Sequence, residues 1–253
     1  MVCGMDGEEL SQDLAGQEST VIPGRFGEQL TVADALYSKE QAQANTRLPM
    51  FLLLHGWGSN EQDLADLMRY VAPYNDYVSL RAPLELPAVS GSAGSAFTWF
   101  HDCVPTGEDL DRDAYAAAVA IDDWVEEHIP PERDIVLLGF SQGGVLAVHL
   151  LRIHPERYRA SVCLSGFIAP GRVKGSAPAD QRLPSLEIPV FYGYGSADNV
   201  IPRYELYATD AWLEEHTWLT SHEYHGLDHA VNLEEFSDIR QWLIQNNISS
   251  GMM

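Results

Sequence analysis

The stretch Ile135-Val136-Leu137-Leu138-Gly139-Phe140-Ser141-Gln142-Gly143-Gly144 decides the fold. Four consecutive apolar residues followed by a glycine-flanked serine read as a strand covered on both faces that turns sharply into a helix. Glycine two positions before the serine and two positions after it lets the strand and helix backbones approach closely, which is what a nucleophile elbow needs. Val145, Val148, His149 and Arg152 then recur at helical spacing. On such a turn the serine hydroxyl stands at the positive end of a helix, where backbone N–H groups can hold a developing oxyanion. The bland alternative is a tight turn with an incidental serine, and the strand-turn-helix context favours the chemical reading.

Outward from this turn the same pattern repeats. Phe51-Leu52-Leu53-Leu54 is a second continuous apolar run, ending in His55-Gly56, and further strands are predicted at 77–81, 160–165, 189–194 and 218–224. Between them lie helical patterns. Leu64, Leu67, Met68 and Val71 share one face, with Ser59 and Gln62 spaced as a capping box. A second helix is predicted over Tyr115 to Ile129, entered from Asp111 or Asp113 and stopped by Pro130-Pro131, with others near 203–216 and 233–246. Strands alternating with helices imply an α/β chain: a mostly parallel sheet with helices on both faces. No internal repeat is visible. Residues 82–112 and 167–188 stay irregular, and both follow strands at the sheet edge where ligands of α/β folds bind. Residues 1–18 are acidic and without periodicity, so a disordered tail is expected there and a single domain over 19–248.

Composition narrows the function. The 253 residues carry 15 basic and 37 acidic side chains, a net charge of -22 that opposes phosphate backbones and anionic lipid headgroups. Nucleic-acid binding and membrane insertion are therefore not expected. Only two lysines occur, Lys39 and Lys174. No apolar run is long enough to span a bilayer and no secretory signal pattern opens the chain, so a cytoplasmic protein is expected. Cys3, Cys103 and Cys163 lack metal-type spacing, and Cys163 reads as a small buried side chain.

A serine needs a base, and the base needs an orienting acid. In hydrolases built on such an elbow the chain order is nucleophile, acid, histidine. Gly195-Ser196-Ala197-Asp198-Asn199-Val200-Ile201-Pro202 follows the strand at 189–194 and offers Asp198, which could alternatively cap the next helix. His225-Gly226-Leu227-Asp228-His229 follows the last strand, so His225 and His229 compete as base. His229 is favoured because it directly precedes the final helix, and Asp228 is a poor orienter because neighbours on an extended loop point apart. His216, His222, His225 and His229 also raise a metal site, but their spacing misses the usual zinc patterns and none is expected. His55-Gly56-Trp57-Gly58 closes the strand at 51–54, where a second oxyanion donor belongs; the Trp57 amide is assigned to it and His55 to structure.

Together these residues resemble the phospholipase/carboxylesterase family of α/β-hydrolases, which includes small bacterial carboxylesterases and acyl-protein thioesterases. The resemblance spans about residues 48–246 and rests on Leu54-His55-Gly56-Trp57-Gly58, Trp99-Phe100, the elbow, the Asp198 loop and Tyr224-His225-Gly226-Leu227-Asp228-His229. It implies the α/β-hydrolase fold with little or no cap, a triad of Ser141, Asp198 and His229, an oxyanion hole from the N–H groups of Trp57 and Gln142, and no cofactor. A homodimer is plausible by the habit of that family. Ser59-Asn60 and Trp99-Phe100-His101-Asp102 depart from its usual pattern near the substrate pocket.

The expected activity is a serine carboxylesterase acting on small-molecule short to medium acyl esters through an acyl-enzyme. The same residues would serve a lysophospholipase or acyl-protein thioesterase, and a non-catalytic binding protein is the alternative from another class. Trp57, Trp99, Phe100 and Phe167 are candidates to line an apolar substrate pocket.

Overall fold

In the computed structural model, which describes residues 22, 24, 25, 29–39, 47–87 and 95–250, one sheet of seven strands carries the fold. Its strands are β1 (Asp34–Tyr37), β2 (Met50–Leu54), β3 (Tyr77–Arg81), β6 (Ile135–Phe140), β7 (Tyr158–Leu164), β8 (Pro189–Gly195) and β9 (Trp218–Tyr224). They lie in the order β1-β3-β2-β6-β7-β8-β9, parallel except for β1, which pairs antiparallel with β3. A two-stranded ribbon pairs β4 (Leu84–Glu85) with β5 (Phe97–Thr98). The helices are α1 (Gln62–Val71), α2 (Gly107–His128), α3 (Gln142–Ile153), α4 (Arg203–His216) and α5 (Leu233–Gln245).

The uninterrupted apolar runs follow from burial on two faces. Phe51 and Leu53 of β2 and Val136 and Leu138 of β6 pack with Leu64 and Met68 of α1 and Ile239 and Leu243 of α5. Leu52, Leu54, Ile135 and Leu137 point the other way, onto Ala117 and Ile121 of α2 and Leu146 and Leu150 of α3. Side chains alternate across a strand, so only an apolar residue at every position satisfies both layers. Helix α3 is buried from Gln142 through Arg152, which is why its sequence is apolar nearly all round.

Three local expectations are corrected. Helix α2 begins at Gly107, eight residues before Tyr115, and Asp111 and Asp113 lie inside it, fully buried, rather than capping it. Asp111 accepts hydrogen bonds from the amides of Gly171, Arg172 and Val173, and Asp113 accepts from those of Arg25 and His101. Tertiary partners thus replace the local role that aspartates near a helix start usually take. Ser59 and Gln62 do not form a capping box: Ser59 donates to Asp63 at 2.7 Å, and Asn60 Oδ1 accepts the Gln62 N–H at 2.9 Å. A side-chain cap occurs instead at α5, where Asn232 Oδ1 accepts the Glu235 N–H at 2.8 Å.

The irregular segment 167–188 is held by charge. Arg152, 1% exposed, donates from Nε and Nη2 to the two carboxylate oxygens of Asp180 at 2.8 and 2.6 Å and lies 4.8 Å over the Trp212 ring. A bidentate pair of this kind supplies the order that secondary structure does not. The tail at 1–18 and the segment 88–94 lie outside the described residues. Among the described residues no helix is long and apolar enough to cross a membrane.

Candidate active site

The elbow is built by close approach of backbones. Ser141 joins β6 to α3 at φ 54° and ψ -116°, a conformation a non-glycine residue rarely holds without surrounding support. That support is a 2.9 Å hydrogen bond from the Ser141 N–H to the Leu164 carbonyl and a 3.0 Å bond from the Val145 N–H to the Ser141 carbonyl. Ser141 is 4% exposed and sits at the N-terminus of α3, where the first N–H groups have no intrahelical partner.

Asp198 and His229 come from two loops at the same end of the sheet. Asp198 Oδ2 lies 2.7 Å from His229 Nδ1, and its Oδ1 accepts the N–H groups of Val200 and Ile201 at 2.9 Å each. Burial raises the Asp198 carboxyl, but the His229 bond and the two amides outweigh it and hold the group below the ordinary carboxylate range. An ionised Asp198 fixes the proton on His229 Nδ1 and leaves Nε2 as the basic atom. The His229 ring lies 4.9 Å from the ring of Phe140, the residue before Ser141, which sets the imidazole beside the elbow. The two loops are tied together by bonds from Gly226 N–H to Ser196 Oγ at 2.8 Å and from Ala197 N–H to the Leu227 carbonyl at 2.8 Å.

His225 and Asp228, the rivals in sequence, are both exposed. His216 is bonded to the Trp212 carbonyl and His222 stacks on Phe191 with Asp238 3.8 Å away, so the four histidines do not converge. Among the described residues no cluster of three or more His, Cys, Asp or Glu side chains is arranged to hold a metal.

The loop after β2 runs against the elbow: a Cβ on Gly56 would stand 3.3 Å from the Phe140 carbonyl and from Ser141 Cβ. Trp57, half-buried, follows directly. The other three aromatic candidates are placed differently. Trp99, Phe100 and Phe167 are at most 1% exposed and belong to the core on the α2/α3 face, with no surface open to a ligand in this conformation. Sequence gave no signal of the Gln142 side chain, which is fully buried and fully bonded. Its Oε1 accepts from Thr98 Oγ1 at 3.0 Å and the Trp99 N–H at 3.1 Å, while Nε2 donates to the carbonyls of Asp102 at 2.9 Å and Cys103 at 3.3 Å.

The fold is matched by known proteins. The family model described as Phospholipase/Carboxylesterase matches residues 37–247. The chain belongs to that family. It is 26% identical to acyl-protein thioesterase 1 of Kluyveromyces lactis over 222 residues, 81% of this chain and 93% of that one. It is 27% identical to lysophospholipase-like protein 1 of Mus musculus over 208 residues, 76% of this chain and 84% of that one. Among solved structures, acyl-protein thioesterase 2 of Zea mays superposes with a TM-score of 0.65 at 20% identity, covering 84% of this chain and 98% of that one. The carboxylesterase of Bacillus cereus gives a TM-score of 0.63 at 23% identity, covering 84% and 94%. The shared fold is the α/β-hydrolase fold, and the family member described here is a hydrolase of carboxylic ester or thioester bonds.

One buried acid beside the His229 loop carries a stability prediction. Glu235 is 1% exposed and its Oε2 has no hydrogen-bond partner; burial pushes its carboxyl up to about 8. Above its unfolded value near 4.5 the unfolded chain releases this proton while the folded chain keeps it, so stability falls as pH rises from there to about 8. The loss is on the order of 4 kcal/mol at the upper end. Glu235→Gln, which stays neutral, should melt several degrees above wild type at pH ~8 and close to it at pH ~4.5. Equal melting differences at the two pH values would refute this.

Proposed function

We propose that this protein is a serine carboxylesterase acting on short to medium acyl esters. The observation that carries the reading is the bond between His229 Nδ1 and Asp198 set beside the Ser141 elbow. Ser141 Oγ attacks the ester carbonyl as His229 Nε2 takes its proton; the tetrahedral oxyanion is held by the N–H groups of Trp57 and Gln142. His229 then gives the proton to the departing alkoxide as the tetrahedral centre collapses to an acyl-enzyme. Water, deprotonated by the same imidazole, releases the acid and restores Ser141. Trp57 is our remaining aromatic candidate for contact with the acyl or alcohol group, supported by its being half-buried rather than closed into the core. The net charge of -22 supports a small ester over a substrate presented on an anionic bilayer.

A second reading, acyl-protein thioesterase or lysophospholipase, is favoured by the relatives matched over most of the chain. The two are separated by one experiment. Intact mass after treatment with a serine-directed fluorophosphonate should show a single adduct, mapped to Ser141 by peptide analysis. A series of p-nitrophenyl esters and acyl thioesters should then give the highest kcat/KM on short and medium oxygen esters. A maximum on long-chain thioesters would replace the first reading by the second, and a folded protein that takes no adduct would remove both.

A further inference from the structure

We infer that His55, Trp99 and the side chain of Gln142 form one buried hydrogen-bonded chain that positions both oxyanion donors, with His55 as its terminal positioning residue. The inference rests on the proposed oxyanion hole and extends it to side chains that touch no substrate.

The chain of bonds is continuous. Gln142, whose own N–H is one donor, accepts the Trp99 N–H at 3.1 Å on its side-chain oxygen. The indole Nε1–H of Trp99 donates to the His55 carbonyl at 3.0 Å. His55 Nδ1 lies 2.8 Å from the Gly56 carbonyl, and His55 Nε2 accepts the Ala82 N–H at 3.1 Å. Because Nε2 is the acceptor, the ring proton resides on Nδ1 and is donated to Gly56. Every side chain in the series is fully buried.

The last bond matters for chemistry because a peptide is planar. The Gly56 carbonyl and the Trp57 N–H belong to the same trans peptide and point in opposite directions, so fixing the carbonyl aims the N–H. The Trp99 bond holds the preceding carbonyl in the same way, so two consecutive peptide planes are set before substrate arrives. Oxyanion donors act through such preorganisation, and a misdirected N–H loses its effect in the transition state more than in substrate binding. Burial holds His55 below the usual imidazole range, which favours the neutral ring whose Nε2 accepts the Ala82 N–H. The stacking of the His55 and Trp99 rings, centroids 5.6 Å apart, fixes the imidazole further.

Two substitutions separate positioning from support. His55→Asn places an amide nitrogen near the Nδ1 position and can still donate to Gly56, but loses the acceptor for Ala82. His55→Gln keeps an acceptor near the Nε2 position and loses the donation. The expected result is a crossing: His55→Asn keeps kcat within about threefold of wild type although it is less stable, while His55→Gln loses on the order of ten- to a hundredfold in kcat with KM little changed. The rate of fluorophosphonate adduct formation, whose tetrahedral oxygen occupies the same hole, should fall with kcat. Activity that follows stability in both variants, or wild-type kcat in both, overturns the inference. Should neither His55 variant fold, Trp99→Phe, which removes the indole N–H, decides: a fall in kcat of about fivefold or more supports the chain and a wild-type kcat overturns it. Failure of the wild-type enzyme to label at Ser141 would instead count against the proposed reaction itself.

Discussion

Ser141→Ala is expected to lower kcat on an activated ester by about 10⁴-fold or more while thermal unfolding stays close to wild type. The two outcomes separate for a physical reason. The elbow conformation at φ 54° is held by main-chain bonds to Leu164 and Val145 that alanine makes equally well, so the fold does not need the hydroxyl. The reaction does, because without Oγ there is no acyl-enzyme and the hole and His229 can only assist attack by water. Residual turnover above the uncatalysed rate is expected from the preorganised donors alone. Steady-state kinetics beside a thermal melt checks both halves; turnover within tenfold of wild type would place the nucleophile elsewhere.

Gly143→Ala should be severely damaging for so small a substitution, removing more than about 3 kcal/mol of a total on the order of 5–15. A Cβ there would stand 1.8 Å from the Leu54 carbonyl oxygen and 2.9 Å from that of His55. Both obstacles are backbone at the end of a central strand, so neither can rotate away as a side chain would. Relief would require α3 to lift from β2, and that displacement would also separate the Gln142 N–H from the Trp57 loop. Soluble expression and chemical denaturation give the readout. A variant that folds with wild-type stability would show that the helix can shift at little expense, and the close contact would then not explain the glycine.

Much of this was legible along the chain because it is local. A strand covered on both faces must be apolar at every position, and a turn in which two backbones nearly touch must be glycine; both conditions leave their mark within ten residues. The same holds for the order in which serine, aspartate and histidine appear, since each follows a strand at the same edge of a parallel sheet. The antiparallel edge strand at Asp34–Tyr37 and the short ribbon formed with Phe97–Thr98 left no such mark. A strand of four residues or two shows too little periodicity to be told from loop. The early start of α2 was hidden for a related reason, because its Asp111 and Asp113 answer to loops far away rather than to their own helix end.

The fate of the aromatic residues divides the two kinds of information most clearly. From sequence, Trp57, Trp99, Phe100 and Phe167 are equivalent candidates for a substrate wall. In the structure Trp99 is taken into the core by bonds to Gln142 and His55, 43 and 44 residues away along the chain, and Phe100 and Phe167 are packed beside it. Of His225 and His229, it is His229 that meets an acid, the carboxylate of Asp198 31 residues away. The sequence by itself determined the parallel sheet, the sharp turn and the chemical types at its edge, since these follow from each residue's immediate neighbours. Which histidine meets an acid and which aromatics are closed off were decided by tertiary structure alone. Those depend on distances between loops that the local rules of strand and helix leave free.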